Sequence, residues 1–156
     1  MATINATISV ASDVTGYGTT ISNSMTMTKA GTIAGLDQAT GLVRKTLTST
    51  NEVDLLVVGA GVVADVTATK SAKLYMKNVN TDSSEYFTVG LGVPSGTATK
   101  QAFSVVADAT RSVEIGRLYS GDWMIIPWAA ASDEHDVFVK PSVSTSMVIE
   151  YMVFFE

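Results

Sequence analysis

The 156-residue sequence predicts an all-β fold: an antiparallel β-sandwich, jelly-roll-like, with an N-terminal β extension. Three observations carry this. Apolar and polar residues alternate with a period of two in many short runs. The runs are separated by Gly, Asn, Asp and Ser clusters at a spacing of roughly 8–12 residues, the rhythm of sandwiches and barrels. Stretches combining helical periodicity, caps and helix-forming composition are scarce, so helices do not alternate with strands as a parallel βαβ sheet requires.

Taken in order, Thr3–Val10 sets Ile4, Ala6, Ile8 and Val10 on one face against Thr3, Asn5, Thr7 and Ser9 on the other. Gly16-Tyr17-Gly18 breaks that run, and Ser24–Lys29 then alternates Met25 and Met27 with Ser24, Thr26 and Thr28 before a turn at Ala30-Gly31. Leu36–Val43 and Val63–Lys73 come nearest to helices. The first contains Thr40 and Gly41 and the second is rich in Thr and Val, so one or two helical turns are expected at most. Leu42–Thr48 and Val53–Val58 read as strands around Ser49-Thr50-Asn51. Lys73–Val79 and Glu85–Leu91 read as a hairpin across Asn80-Thr81-Asp82-Ser83-Ser84. Ala102–Val106, Val113–Leu118, Asp122–Trp128, Asp136–Lys140 and Met147–Phe155 complete the set. Composition shifts near Asn51, before which aromatics are nearly absent. Residues 1–51 are therefore expected to form an arm or extension, either separate or part of the same sheet system, and residues 52–156 the sandwich core.

Hydrophobic residues make up 46% of the chain and charged residues only 16%. The polar surface must then be built mainly from Thr, Ser, Asn and Gly, a mix found where much surface is buried between subunits. Net charge is −5 and the ten basic residues are scattered, so no stripe exists to neutralise phosphates and no nucleic-acid partner is expected. No run of 18 apolar residues occurs, so no membrane partner is expected, and the first residues lack the basic and apolar regions of a signal peptide. The absence of cysteine excludes disulfides, thiolate nucleophiles and thiolate metal sites.

Three segments resemble chemistry. Gly59-Ala60-Gly61-Val62-Val63-Ala64 follows the apolar run Leu55–Val58, with Glu85 further on, and so matches a dinucleotide-binding fingerprint in spelling. That chemistry needs a helix to begin at the glycines and present its amides to a pyrophosphate. Asp65-Val66-Thr67-Ala68-Thr69 is a poor helix, and a Gly-rich bend is the reading preferred. Asp133-Glu134-His135-Asp136 holds the single histidine, but adjacent residues of an extended segment point apart, so a solvated loop is expected instead of a metal or acid–base site. Ser120-Gly121-Asp122 reads as a tight turn. Trp123 and Trp128 flank Met124-Ile125-Ile126-Pro127, and their spacing of five sets one ring in a core and one at a contact, rather than both in a sugar-binding platform. No catalytic residue, cofactor or metal is expected.

The last strand is the most telling. Met147, Ile149, Tyr151, Val153 and Phe155 share one face, and the other carries Val148, Glu150, Met152 and Phe154. A strand apolar on both sides is covered on both sides. A second subunit is the expected outer cover, with Met152, Phe154 and Trp128 as candidate contacts. Ile4 and Ile8, on the arm Thr3–Val10, are candidates for strand addition to a neighbour.

Leu74-Tyr75-Met76-Lys77-Asn78-Val79 followed by Tyr86-Phe87-Thr88-Val89 resembles a hairpin of small β-sandwich virion proteins from tailed bacteriophages. Leu118-Tyr119-Ser120-Gly121-Asp122-Trp123-Met124-Ile125-Ile126-Pro127-Trp128 resembles their turn and following strand, and Asp136–Lys140 and Val148–Phe155 their last two strands. The resemblance covers Lys73 to Glu156. It implies a non-enzymatic structural protein of the virion, assembled in the host cytoplasm. A capsid decoration (cement) protein fits best, as a homo-oligomer, a trimer by analogy with lattice symmetry, bound to the major capsid protein or another virion protein. A neck, tail or fibre component with a receptor- or carbohydrate-binding role is the alternative.

Overall fold

The structure is a computed structural model, and it describes residues 4–12, 19–67, 69–92, 113–130 and 135–156. Eleven strands run through them: β1 Ile4–Ser12, β2 Thr19–Met27, β3 Gln38–Ala39, β4 Val43–Leu47, β5 Val53–Leu56, β6 Ala72–Asn78, β7 Tyr86–Leu91, β8 Val113–Tyr119, β9 Trp123–Trp128, β10 Val137–Pro141 and β11 Met147–Phe155. The one helical element among the described residues is a 3-10 turn at Gly61–Val63. The expected strand at Ala102–Val106 and the break at Gly16-Tyr17-Gly18 lie outside the described residues.

Pairing is antiparallel throughout and nested. β4 pairs with β11, β5 with β10, β6 with β9 and β7 with β8. One long eight-stranded ribbon has been folded over, so that β6 also pairs with β11 and β7 with β10. The result is two facing sheets, β5-β10-β7-β8 and β3-β11-β6-β9, with β4 beside β3 on the free side of β11. This is jelly-roll connectivity, two Greek keys in one sandwich. β1 and β2 form a separate two-stranded sheet.

The core lies between the two large sheets. Period-two alternation delivers Leu74 and Met76 from β6, Phe87 and Val89 from β7, Val137 and Val139 from β10, and Met147, Ile149 and Val153 from β11, all fully buried. The five residues expected on the inner face of the last strand are all in this core.

One expectation is corrected. β6 and β7 are not a hairpin: they lie in opposite sheets, and the chain between them crosses the sandwich. Alternating burial is the same for an in-sheet neighbour and for a strand across the core, so the pattern alone does not separate them. Of the first 51 residues, β3 and β4 belong to the same sheet system as the core: β4 supplies core residue Leu47 and both pair with the last strand, while β1–β2 form a sheet of their own.

The crossover from β6 to β7 is held by Asn78, a polar residue with no exposed surface. Its Nδ2 donates to Leu118 O (3.0 Å) and Glu85 O (3.3 Å). Its Oδ1 accepts from Asn80 N (3.0 Å) and Asn80 Nδ2 (2.6 Å). Asn80 Oδ1 in turn accepts from Val148 N (2.9 Å), and Asn80 O accepts from Ser120 Oγ (2.5 Å). One buried amide thus ties both sheets and the Ser120-Gly121-Asp122 turn together. That turn is the tight one expected, with Gly121 at φ 82° and Asp122 N donating to Tyr119 O.

Replacing Asn78 by Ala leaves several buried groups without partners, so a loss of about 2–4 kcal/mol is expected, read as a lower urea midpoint at unchanged slope. Gly90→Ala will be severely destabilising, because a Cβ there would collide with the Phe138 ring and the Val113 carbonyl. Gly116→Ala, one strand away with open space at the same test position, is the matched control and should unfold within about 1 kcal/mol of the parent.

Candidate assembly surface

The outer face of the β3/β4-β11-β6-β9 sheet follows from its register. Met152 stands opposite Tyr75, and Tyr75 opposite Ile125. Phe154 stands opposite Lys73, and Lys73 opposite Pro127. These side chains form a mainly apolar band crossing three strands, with Lys73 as its one cation. The next row is charged: Arg44, Glu150 and Lys77 lie side by side, followed by Trp123.

Within the charged row, Arg44 and Glu150 form an ion pair. Glu150 is buried, and Arg44 Nε donates to its Oε2 at 2.9 Å. The Tyr75 hydroxyl donates to the same carboxylate, and burial, with the Glu150 charge beside it, pushes that hydroxyl above the ordinary phenolic range. Burial also raises Tyr151 on the opposite face of β11.

Over the apolar band lies the β1–β2 hairpin. Its nine cross-strand pairs run without a bulge from Ile4↔Met27 to Ser12↔Thr19. Alternate pairs put Ile4, Ala6, Ile8 and Val10 of β1 on one face with Met27, Met25, Asn23 and Ile21 of β2. The opposite face is polar, where Thr26 Oγ1 donates to Asn5 Oδ1 at 2.9 Å. The root is anchored by Met27 and Leu36, both buried, with Leu36 N donating to Met27 O at 2.8 Å. These two residues are buried but do not belong to the sandwich core.

Two mainly apolar grooves separate hairpin and sheet. One, of about 350 Å³, is lined by Ile4, Ala6 and Met27 of the hairpin against Tyr75, Met152, Phe154 and the charged Glu150. The other, of about 360 Å³, is lined by Ile8 and Met25 against Lys73, Ile125 and Pro127. Ile8 and Met25, which line the second groove, are still 39% and 52% exposed, and Val10 and Ile21, which line neither groove, are 51% and 56% exposed.

The sequence-selected contact residues fall as follows. Ile4 and Ile8 both lie on the hairpin's apolar face, Ile4 at the covered root and Ile8 where cover ends. Met152 and Phe154 are half-buried under the chain's own hairpin, so a sister molecule is not their sole cover. Trp128 is corrected outright. It is 4% exposed, sits in the sandwich core and donates from Nε1 to His135 O at 2.8 Å. An inward-pointing ring at the end of β9 has no surface to offer a subunit, and the exposed tryptophan is Trp123. The two rings therefore form no shared platform.

The other segments singled out are structural. The Gly59–Ala64 stretch is a bend, with Gly59 at φ 71° and Gly61 at φ 59°, left-handed values that glycine adopts without strain. No long helix follows it. Asp133 and Glu134 lie outside the described residues, while Asp136 is buried and accepts a hydrogen bond from Val58 N at 2.7 Å. The expected solvated loop is, at that residue, a buried tether between β10 and the bend. Among the described residues no group of three His, Asp or Glu side chains converges as a metal site would require.

Sequence reasoning missed β2 as the partner of β1, although Ile21, Asn23, Met25 and Met27 continue a single period-two series. It also missed Asn78 and Tyr75, whose roles need partners remote in the chain. Comparison with known proteins finds no matching family, no similar curated protein and no similar solved structure.

The two raised tyrosines set an alkaline limit. A hydroxyl whose folded pKa lies above its unfolded value of about 10 stabilises the fold below that pH, and the contribution is lost as pH rises through the folded value. Stability should therefore decline as pH climbs past about 10, and Y75F with Y151F should flatten the decline in pH-dependent urea melts. In Glu150→Gln, the Tyr75 titration followed by ultraviolet absorbance should move down only part of the way, since burial, the larger cause, remains.

Proposed function

We propose that this chain is a non-enzymatic structural protein of a tailed-phage particle, a capsid decoration protein that stabilises the head by multivalent binding. Its partners on this reading are further copies of itself, a trimer by analogy with lattice symmetry, and the major capsid protein. The observation that carries the reading is the hairpin. A rigid jelly roll bears an arm with nine residues in each strand and no charged side chain among them, whose apolar face is half uncovered. Such a surface is suited to burial against another protein and unsuited to water.

The segments that resemble phage virion proteins support the same reading, for they occupy consecutive parts of the jelly roll. They fall on β6, β7, the turn into β9, β10 and β11. Among them are Asn78, the polar anchor between the sheets, and Gly121, the left-handed residue of the turn. The mechanism is additive: each copy contributes a modest apolar contact, and linked copies bind with an avidity far above that of one contact.

The test uses capsid shells assembled without this protein. Purified chain added to them should bind saturably and raise the temperature at which the shells rupture, and electron microscopy should place its density at regular lattice positions. Chain that remains in the supernatant, or that decorates only tails or necks, would exclude the decoration role.

A further inference from the structure

We infer that the β1–β2 hairpin is a strap that lifts from the sandwich as one unit, without unfolding it, and so uncovers the outer faces of β6, β9 and β11. The inference stands on how the hairpin is attached and does not need the decoration reading.

The first observation is that the sandwich is complete without the hairpin. Its two sheets are paired entirely among β3 to β11, and β1 and β2 pair only with each other. None of the buried residues of the sandwich core comes from β1 or β2. The polar anchor Asn78 bonds to Leu118, Glu85 and Asn80, all within the sandwich. Lifting the hairpin therefore breaks no sheet ladder of the jelly roll and opens no part of its core.

The second observation is the nature of the contact. Between described residues, the hairpin's hydrogen bonds are its own ladder, Thr26 Oγ1 to Asn5 Oδ1, and Leu36 N to Met27 O at the root. Among the described residues no hydrogen bond or ion pair joins it to β6, β9 or β11, and its strands carry no charged side chain. What holds it is apolar packing, which is non-directional and scales with the area buried. That area is small. Along β1 only Ile4, Ala6 and Ser12 are better than exposed, and in β2 Met27 is buried while Ile21 and Met25 are more than half exposed. Two grooves of about 350 and 360 Å³ lie between hairpin and sheet, where a close-packed contact would leave few voids larger than a water molecule.

The third observation is that the arm has a defined end. Lys29 N donates to Ala34 O at 2.8 Å, Leu36 N to Met27 O at 2.8 Å, Thr28 bridges to Gly35, and Lys29 Nζ meets Asp37 Oδ2 at 2.7 Å. These bonds join residues 34–37 to the hairpin's root. The next residue, Gln38, pairs with Phe155 of β11 and belongs to the sandwich. The junction of Asp37 and Gln38 is where a moving arm parts from a fixed sheet. Met27, buried and lining both grooves, is the latch. A two-stranded ribbon on its own is marginal in water, so a lifted arm loses its own ladder and its amides exchange together. The open state presents Tyr75, Ile125, Met152 and Phe154, and the closed state shields them. The strap thus sets how much of the outer face another surface can reach.

The experiment is native-state hydrogen exchange on the full chain, followed amide by amide. In the wild type the ladder amides of β1 and β2 should be protected, yet exchange as a group about 100-fold or more faster than those of β6 and β11. Low urea should speed the β6 and β11 amides far more than the hairpin's, because lifting the arm exposes less surface than unfolding does. Asn78→Ala weakens the sandwich in the closed and the open state alike, so it should speed β6 and β11 by about 30-fold or more and leave the hairpin rates unchanged. Met27→Ala should speed the hairpin amides by about tenfold or more. Hairpin amides that exchange at the rate of the sandwich core, or that follow it in urea or in Asn78→Ala, would show one cooperative unit and overturn the inference. Hairpin amides without protection would overturn it too, since the arm would then have no closed state. The wild-type rates and their urea dependence decide the matter even if both variants fail to fold. The decoration role fails separately, on shells that a protein with this exchange pattern does not bind.

Discussion

β11 is the strand on which everything else depends. It pairs on one side with β6 and on the other with β4 and then β3, so both its hydrogen-bonding edges are satisfied internally. It is also apolar on both faces, with Glu150 as the exception. A strand in that position must be covered above and below. The inner cover is the opposite sheet of the jelly roll, and the outer cover begins with the chain's own hairpin. The need to shield one strand twice thus links the fold to its most distinctive surface.

The outer face shows how that shield is graded. Close to β4, Arg44 and Tyr75 are both directed at the Glu150 carboxylate. A buried carboxylate with two donors is tolerable, whereas an unpaired one would not be. Next to this row the surface turns apolar and the hairpin lies over it, anchored by Met27 and Leu36. The packing there is looser than in the sandwich, since two grooves of about 350 and 360 Å³ remain beside the arm. Close-packed interiors leave few voids larger than a water molecule. The contrast separates a close-packed core from a loosely covered outer face.

Much of this was legible in the sequence. Alternation located β1, β4 through β7 and β8 through β11, because half-buried strands leave a period of two whatever they pair with. The inner face of β11 was read residue by residue. Pairing was not legible. Lys73–Val79 and Glu85–Leu91 read as a hairpin because they are adjacent and separated by turn residues, yet they face each other across the core. The short β3 was missed, as two residues are too few to show a period. Trp128 was misplaced because Pro127 lies beside it and obscures which way the strand end turns. The role of Asn78 left no local signal, since nothing in its neighbours distinguishes a buried, four-bonded asparagine from a solvated one.

The sequence by itself determined the class of fold, the positions of most strands and which residues of each could face a core, because those depend on local alternation and turn chemistry. It also determined that one strand needs cover on two sides. The tertiary structure alone decided which strands meet and that the chain's own arm lies over the outer face of the last strand. Those facts rest on register and on distances between residues far apart in the chain, such as Met152 and Ile4 or Asn78 and Leu118, and local pattern carries no record of either.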